Sequence, residues 1–486
     1  MTTTTEPNPT TPAAMARAGL LHPLGVLILL AGAFLPIMDF FITNVALPSI
    51  DASLRASASS LQLVIAGYGV AYAALLVLGG RLGDRLGRHR VFSCALVGFV
   101  LASLACGLAP NAGFLIGARI VQGAAAALLI PQVLATFHHT LEGERKSRAL
   151  ALYGATSGIA AVVGQLVGGL LVSADIAGMS WRPIFLVNVP IGVIVLVVAS
   201  RIVPPTRSPH PVGIDLPGTI LFAATLTALL VPLTEGHSLG WPWWTWVMIA
   251  MAVGLGIATY VVESAAEQRG EVPLLPPSLL RLPSMSRGLA MVLAFSIGFG
   301  AFMFVFALTI QDGLHADALH GGLAILPMAL LFLAGSLYAP RLITRFGRAA
   351  LSAGAVVQVV GLAALVAVLV GGWPHVSLWA TAIPLALAGA GQSMLFAGLF
   401  RSVMADVPTH LGGIGSGVLI TIQQSGLALG VATLGTLYLG LAPHGVSHAF
   451  AAVEYVQIGI VALLAIGAAA LPRFTAASAD QPIVDA

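Results

Sequence analysis

Of 486 residues, 58% are hydrophobic and only 8% are charged, and the mean hydropathy is +0.98. A soluble globular chain carries about a quarter charged residues, so water is not the main solvent of this one. The net charge of +3 lies in short clusters between apolar blocks, which argues against the basic stripe of a nucleic-acid binder.

Residues 1–20 are rich in Thr and Pro without apolar periodicity and read as a disordered cytoplasmic lead. The first apolar block runs on without a small-x-small cleavage site, so it reads as a retained anchor. Windows long enough to cross about 30 Å of hydrocarbon predict helices near 24–47, 60–80, 91–109, 113–136, 148–172, 183–203, 216–234, 243–262, 288–311, 319–340, 350–370, 376–400, 413–440 and 450–472. The runs are continuously apolar, unlike the alternating strands of a β-barrel. Fourteen membrane helices in an all-α fold are therefore expected.

Along these helices a few polar residues stand out. Asp39 and Asn44 fall in the first, Arg119 and Gln122 in the fourth, Gln165 in the fifth, Gln392 in the twelfth, and Gln423 and Gln424 in the thirteenth. Asp312 and Glu454 fall near the outer ends of the ninth and fourteenth, where they read as rim residues in water. Cys94 and Cys106 lie on one helix, roughly 18 Å apart at 1.5 Å per residue, too far for a disulfide. The cluster Trp241, Trp243, Trp244 and Trp246 reads as an interfacial belt.

With the N-terminus in the cytoplasm, eighteen of the twenty-one Lys and Arg residues fall inside, Arg55 and Arg182 fall outside, and Arg119 lies within a helix. That asymmetry is the positive-inside rule, and it places both termini in the cytoplasm. The chain also repeats. Arg81 to Arg88 follows the second helix and Arg341 to Arg348 the tenth, with five of eight positions identical. Two six-helix halves with two additional helices between them follow, an architecture of transporters. The division reads 1–20 lead, 21–203 first half, 204–287 two linker helices and a loop, 288–472 second half, and 473–486 cytoplasmic tail.

Enzyme signatures do not appear. His138, His139 and Glu142 do not form H-E-x-x-H, and there is no G-x-x-x-x-G-K-[ST] loop. No catalytic residue, metal site or cofactor is expected.

The turn from Gly79 to Arg90 resembles the signature between the second and third helices of the major facilitator superfamily. Met38 to Pro48, Arg119-Ile120-Val121-Gln122-Gly123, Trp181 to Pro190, Gly415-Ser416-Gly417 and Gln423-Gln424 resemble one branch of it, the fourteen-helix drug:proton antiporters. The segment Gly164 to Gly169 departs from that branch's fifth-helix motif, with Gln165 where Pro is expected, so the helix bend that a proline imposes is not expected.

The resemblance implies a multi-pass cell-membrane antiporter that exports small amphipathic compounds, drugs or antibiotics, with the proton as coupling ion; a monomer is expected. The alternatives are an exporter of an endogenous metabolite or natural product on the same fold, and a non-transporting membrane sensor or membrane enzyme. Ionisable groups within a span are costly and usually functional. Asp39 and Arg119 lie at comparable depth, about 12 Å and about 9 Å from the outer side by helix rise, and the resemblance makes their helices neighbours across the cavity. They are the expected proton-coupling pair. Asp84, Arg85, Gly87 and Arg88 are the expected conformational latch, with Asp84 capping the third helix or bridging to arginines. Asn44, Gln122, Gln165, Gln392, Gln423, Gln424, Asp312 and Glu454 are the candidate substrate contacts.

Overall fold

The computed structural model describes residues 21–469 except 208–212, 238 and 409–410. The expected lead at 1–20 and tail at 473–486 lie outside the described residues.

Among the described residues, fourteen helices have the length and apolarity to cross a membrane: α1 Pro23–Leu54, α2 Ala58–Leu86, α3 Arg88–Gly107, α4 Ala112–Thr140, α5 Gly143–Ser173, α6 Pro183–Ile202, α7 Leu216–Glu235, α8 Trp243–Gln268, α9 Pro283–Gly313, α10 Ala318–Phe346, α11 Arg348–Gly372, α12 Leu378–Val403, α13 Ile414–His444 and α14 Val446–Ala468. Each has at least 20 residues, about 30 Å at the helical rise, which matches the hydrocarbon core. Several run past their predicted ends, because polar first and last turns that hydropathy discards are still helical. Capping explains some starts: Ser57, Asn111, Asp215 and Asp317 each accept a backbone N–H of the following turn.

Helices α1–α6 pack mainly on one another, as do α9–α14, giving two six-helix halves. The remaining pair is unequal. Helix α7 contacts α2, α13 and α8, so it lies along the seam between halves, whereas α8 packs chiefly on α7. The outer face of α8 is correspondingly bare, with Trp243 77% exposed and Val253 and Ile257 each 62%. In lipid such a face is at home. The Trp241 and Trp246 rings meet at 5.5 Å, tilted by 34°, at its start, as an interfacial pair would.

The halves are joined by polar contacts at the end of the bundle poor in arginine. Gln62 Nε2 donates to Val431 O and to Thr436 Oγ1, both at 3.0 Å. Gln311 Nε2 donates to Val45 O at 3.0 Å, and Leu319 N to Ser173 Oγ at 3.0 Å. Val431 and Gln311 both sit in short π-helical turns, Val431–Gly435 and Thr309–Gly313, which displace backbone groups from regular pairing and recur at functional sites.

Close approach of α5 and α10 at this end depends on two glycines. A Cβ at Gly169 would lie 2.6 Å from Ala318 O, and one at Gly322 would lie 2.6 Å from Gln165 O. Gly169→Val is therefore expected to hold the ends apart. Spin labels at the exposed positions 175 and 315 should report a longer mean distance in the variant, and an unchanged distance would show that the glycine contact is dispensable. Helix α5 runs unbroken past Gln165. Gly164 and Gly168 instead let it lie against the backbone of α1 at Met38 and Ile42.

Candidate functional site

Five helices of the first half converge on one buried carboxyl. Asp39 lies on α1 one turn after Pro36, whose carbonyl accepts from the Tyr68 hydroxyl at 3.1 Å. Arg119 of α4 donates through Nη1 to Asp39 Oδ2, and both side chains are 0% exposed. Gln122, three residues on and so on the same face of α4, donates to Asp39 Oδ1 at 2.8 Å and accepts from Arg119 Nη1 at 2.6 Å. Asn188 of α6 donates to the same Oδ1 at 2.7 Å. Ser103 of α3 accepts from Gln122 at 2.7 Å and from Asn188 at 3.3 Å.

The guanidinium is held from its other sides as well. Arg119 Nε donates to Val64 O of α2 at 3.1 Å, and the Tyr68 ring centroid lies 4.3 Å from Arg119 Cζ. A cation over an aromatic face in a dry site is worth about 2 kcal/mol. Gly123 allows this packing, since a Cβ there would run into the Tyr68 backbone. Removing one member of such a buried pair typically costs about 3–5 kcal/mol, which the Val64 O, Gln122 and Tyr68 contacts would reduce for a lone Arg119.

The location differs from the expectation of a pair facing across the cavity. Helices α1 and α4 belong to the same half, and Asp39 and Arg119 are sealed inside it. Asn188, Ser103, Tyr68 and Gln62 were not singled out in the sequence, although Asn188 and Gln62 are amides in apolar runs and were open to the same argument as Gln122. Ser103 carries no such signal, because serine is common in membrane helices.

Other expected residues are scattered. Asp84 pairs with Arg88 Nη2 at 2.8 Å, one turn apart across the α2–α3 turn. It does not cap α3: the residue preceding that helix is Gly87, at φ +101°, a conformation suited to glycine, and it offers no side chain. Arg85 is exposed, and Arg88 N donates to Thr206 O at 2.9 Å, so this loop is bonded within its own half and to the segment after α6. The matching loop pairs Thr344 Oγ1 with Arg401 Nη1 at 3.1 Å.

Asn44 bonds its own helix at Phe40 O, 2.9 Å away. Gln165 Nε2 lies 3.8 Å from Met303 Sδ across the seam. Gln392 is buried in the second half, Gln423 and Gln424 are half-buried on α13, and Asp312 is exposed. Glu454, read as a rim residue, is instead 0% exposed, with neither carboxyl oxygen bonded among the described residues. Its position near the start of α14 suggested water, but the packing of α14 against α9, α11 and α13 covers it. Cys94 and Cys106 are free thiols, and Cys106 Sγ donates to Gln122 Oε1 at 3.6 Å.

A feature not expected from the sequence links this network to the seam. Ring centroids follow one another from Tyr72 to Tyr68 (6.2 Å), Phe40 (6.3 Å), Phe41 (5.4 Å), Phe299 (6.1 Å), Phe295 (6.5 Å) and Phe396 (6.2 Å). Phe396 in turn touches Phe332 at 5.8 Å and Phe400 at 4.5 Å. The step from Phe41 to Phe299 crosses between halves. These spacings fall in the range of favourable aromatic pairs.

Two six-helix halves, a pair of interposed helices and a buried ion pair in the first half define a multi-pass membrane transporter of the major-facilitator type. The family profile described as Major Facilitator Superfamily matches residues 29–431, and the chain belongs to that family. It is 35% identical over 415 residues to a probable actinorhodin transporter of Streptomyces coelicolor, covering 85% of this chain and 72% of that one. It is 34% identical over 475 residues to a puromycin resistance protein of Streptomyces alboniger, covering 94% and 92%. The fold resembles the solved structure of the E. coli xylose transporter XylE in a partially occluded inward open conformation, with TM-score 0.59, 13% identity, and coverage of 91% and 97%.

Proposed function

We propose that this protein is a proton-coupled antiporter that exports small, largely apolar organic compounds across the cytoplasmic membrane by alternating access. The observation that carries the reading is the Asp39–Arg119 pair, a carboxyl and a guanidinium in direct contact with no exposure at all inside a bundle of predominantly apolar spans. Protonation of Asp39 would cancel its charge and release Arg119 toward Gln122, Val64 O and the Tyr68 ring. Exchange between those two arrangements is a two-state element of the kind that coupling requires.

The direction of rocking follows from topology. With the arginine-rich loops in the cytoplasm, the bonds of Gln62, Gln311 and Ser173 lie on the outer side and would close it in this conformation. The Phe41–Phe299 seam then offers an apolar, ring-lined surface to a compound entering from the cytoplasm or inner leaflet. The rings connect back to Arg119 through Tyr68, so occupancy of the seam and the state of the ion pair are mechanically joined. The proton is the only cofactor in this reading, and the transporter acts as a monomer with a small-molecule substrate.

The names of the relatives support export of antibiotic-type compounds, and export of a self-made natural product is the second reading that they favour. Purified protein in proteoliposomes decides the matter of coupling. An imposed pH gradient should drive accumulation of a fluorescent aromatic dye or a planar antibiotic, and dissipating the gradient with an ionophore should abolish it. Accumulation indifferent to the ionophore would remove the proton from the mechanism.

A further inference from the structure

At the arginine-rich end, away from the Asp39 network, three charged side chains meet, of which Arg81 and Glu263 are buried and Asp215 is half-buried. Arg81, in the last turns of α2, is 5% exposed, and its guanidinium donates to Gly213 O at 3.1 Å and Pro273 O at 2.6 Å. Asp215 caps α7 through Oδ1, which accepts from Gly218 N at 2.8 Å, while its Oδ2 accepts from Leu274 N at 2.8 Å. Glu263 of α8 is 1% exposed, and its Oε2 accepts from Leu275 N at 3.0 Å.

The second oxygen of Glu263, Oε1, has no donor among the described residues. Its carboxyl nevertheless lies within hydrogen-bonding reach of the Asp215 carboxyl. The convergence is visible at Gly218, where a Cβ would collide with both Glu263 Oε1 and Asp215 Oδ2. Only a residue without a side chain leaves room for two carboxyls at that point. The charged groups facing Glu263 are Asp215 from α7 and Arg81 from α2, and those facing Arg81 are the same two acids. Glu267, one turn further along α8, is turned outward and accepts from Ser278.

Two carboxylate oxygens in contact, without a donor between them, repel in a site of low dielectric and cannot both stay ionised. One proton supplies the missing donor. The pair then carries a single negative charge, which Arg81 matches. We infer that Glu263 carries a proton on its unpaired Oε1 and donates it to the Asp215 carboxylate, a second proton site, and that this proton fastens the 273–275 strap and the α7–α8 pair to the end of α2. The strap leads from α8 into α9, so the site controls the covalent link between the two halves. Loss of the proton as pH rises sets two negative charges against each other and loosens the strap. The site stands apart from Asp39 and does not depend on that residue's role.

Infrared spectroscopy of the full chain in lipid tests the proton directly. In an Asp39→Asn/Glu454→Gln background, which removes the two other fully buried carboxyls described above, a protonated-carboxyl band should disappear on alkalinisation and should be missing once Glu263→Gln is added. Hydrogen exchange of the 271–280 peptide, corrected for the intrinsic pH dependence of amide exchange, reads the clamp. The parent should be protected in acid and lose protection in alkali. Glu263→Gln, which carries a permanent amide donor in place of the proton, should stay protected in both, and Glu263→Ala in neither. A band that survives Glu263→Gln, or parent exchange indifferent to pH, overturns the site.

Discussion

Asp39→Asn is expected to abolish pH-gradient-driven accumulation in proteoliposomes while leaving equilibrium binding of the transported compound to the purified protein. The substitution keeps an oxygen for Gln122 and Asn188 but removes the only acidic group in the network. Arg119 is then left as a buried cation held by Gln122, Val64 O and the Tyr68 ring alone. That is the arrangement assigned above to the protonated state, so the variant should be fixed in it. Accumulation that persists in Asp39→Asn would take this carboxyl out of the coupling mechanism.

Arg119→Met should harm the fold more than the chemistry alone demands. It leaves the Asp39 carboxylate without its counter-charge and strands Val64 O, at a cost of about 3–5 kcal/mol. The informative comparison is Asp39→Asn/Arg119→Met, in which no charge remains to be desolvated. Measured by denaturation in detergent, the double variant should be more stable than Arg119→Met, since a hydrophobic replacement of a buried pair is often neutral. Additive losses would mean that the two residues do not act as a pair.

The helices were legible because each is a long apolar run, and the paired loops at Arg81 and Arg341 made the two halves legible. The ion pair was legible in part: charges within spans are few enough that Asp39 and Arg119 select themselves, and their depths agree. Sequence could not say which side of the seam they would face, because helix rise fixes depth and leaves azimuth open. The same blindness applies to Glu454, placed correctly along its helix yet turned inward. The ring sequence from Tyr72 to Phe396 is assembled from α2, α1, α9 and α12, and no single stretch announces it. Helical spacing of Phe295 and Phe299 hinted only at a shared face. The Asp215–Glu263 contact joins residues 48 apart in two helices that read as unremarkable spacers, and Gly218 shows its purpose only when the packing is seen.

Among the described residues, the closure at the arginine-poor end formed by Gln62, Gln311 and Ser173 is made of amides, two hydroxyls and backbone groups, whereas the opposite end carries the Asp84–Arg88 pair and the Arg81 cluster. Neutral hydrogen bonds contribute about 0.5–1.5 kcal/mol each and are untouched by ionic screening, while the partly exposed Asp84–Arg88 pair weakens as salt rises. The two faces of the protein therefore answer to different surroundings. In the proposed orientation, a change of salinity outside the cell would leave the amide closure unmoved, while ionic strength in the cytoplasm would act on the arginine-rich end.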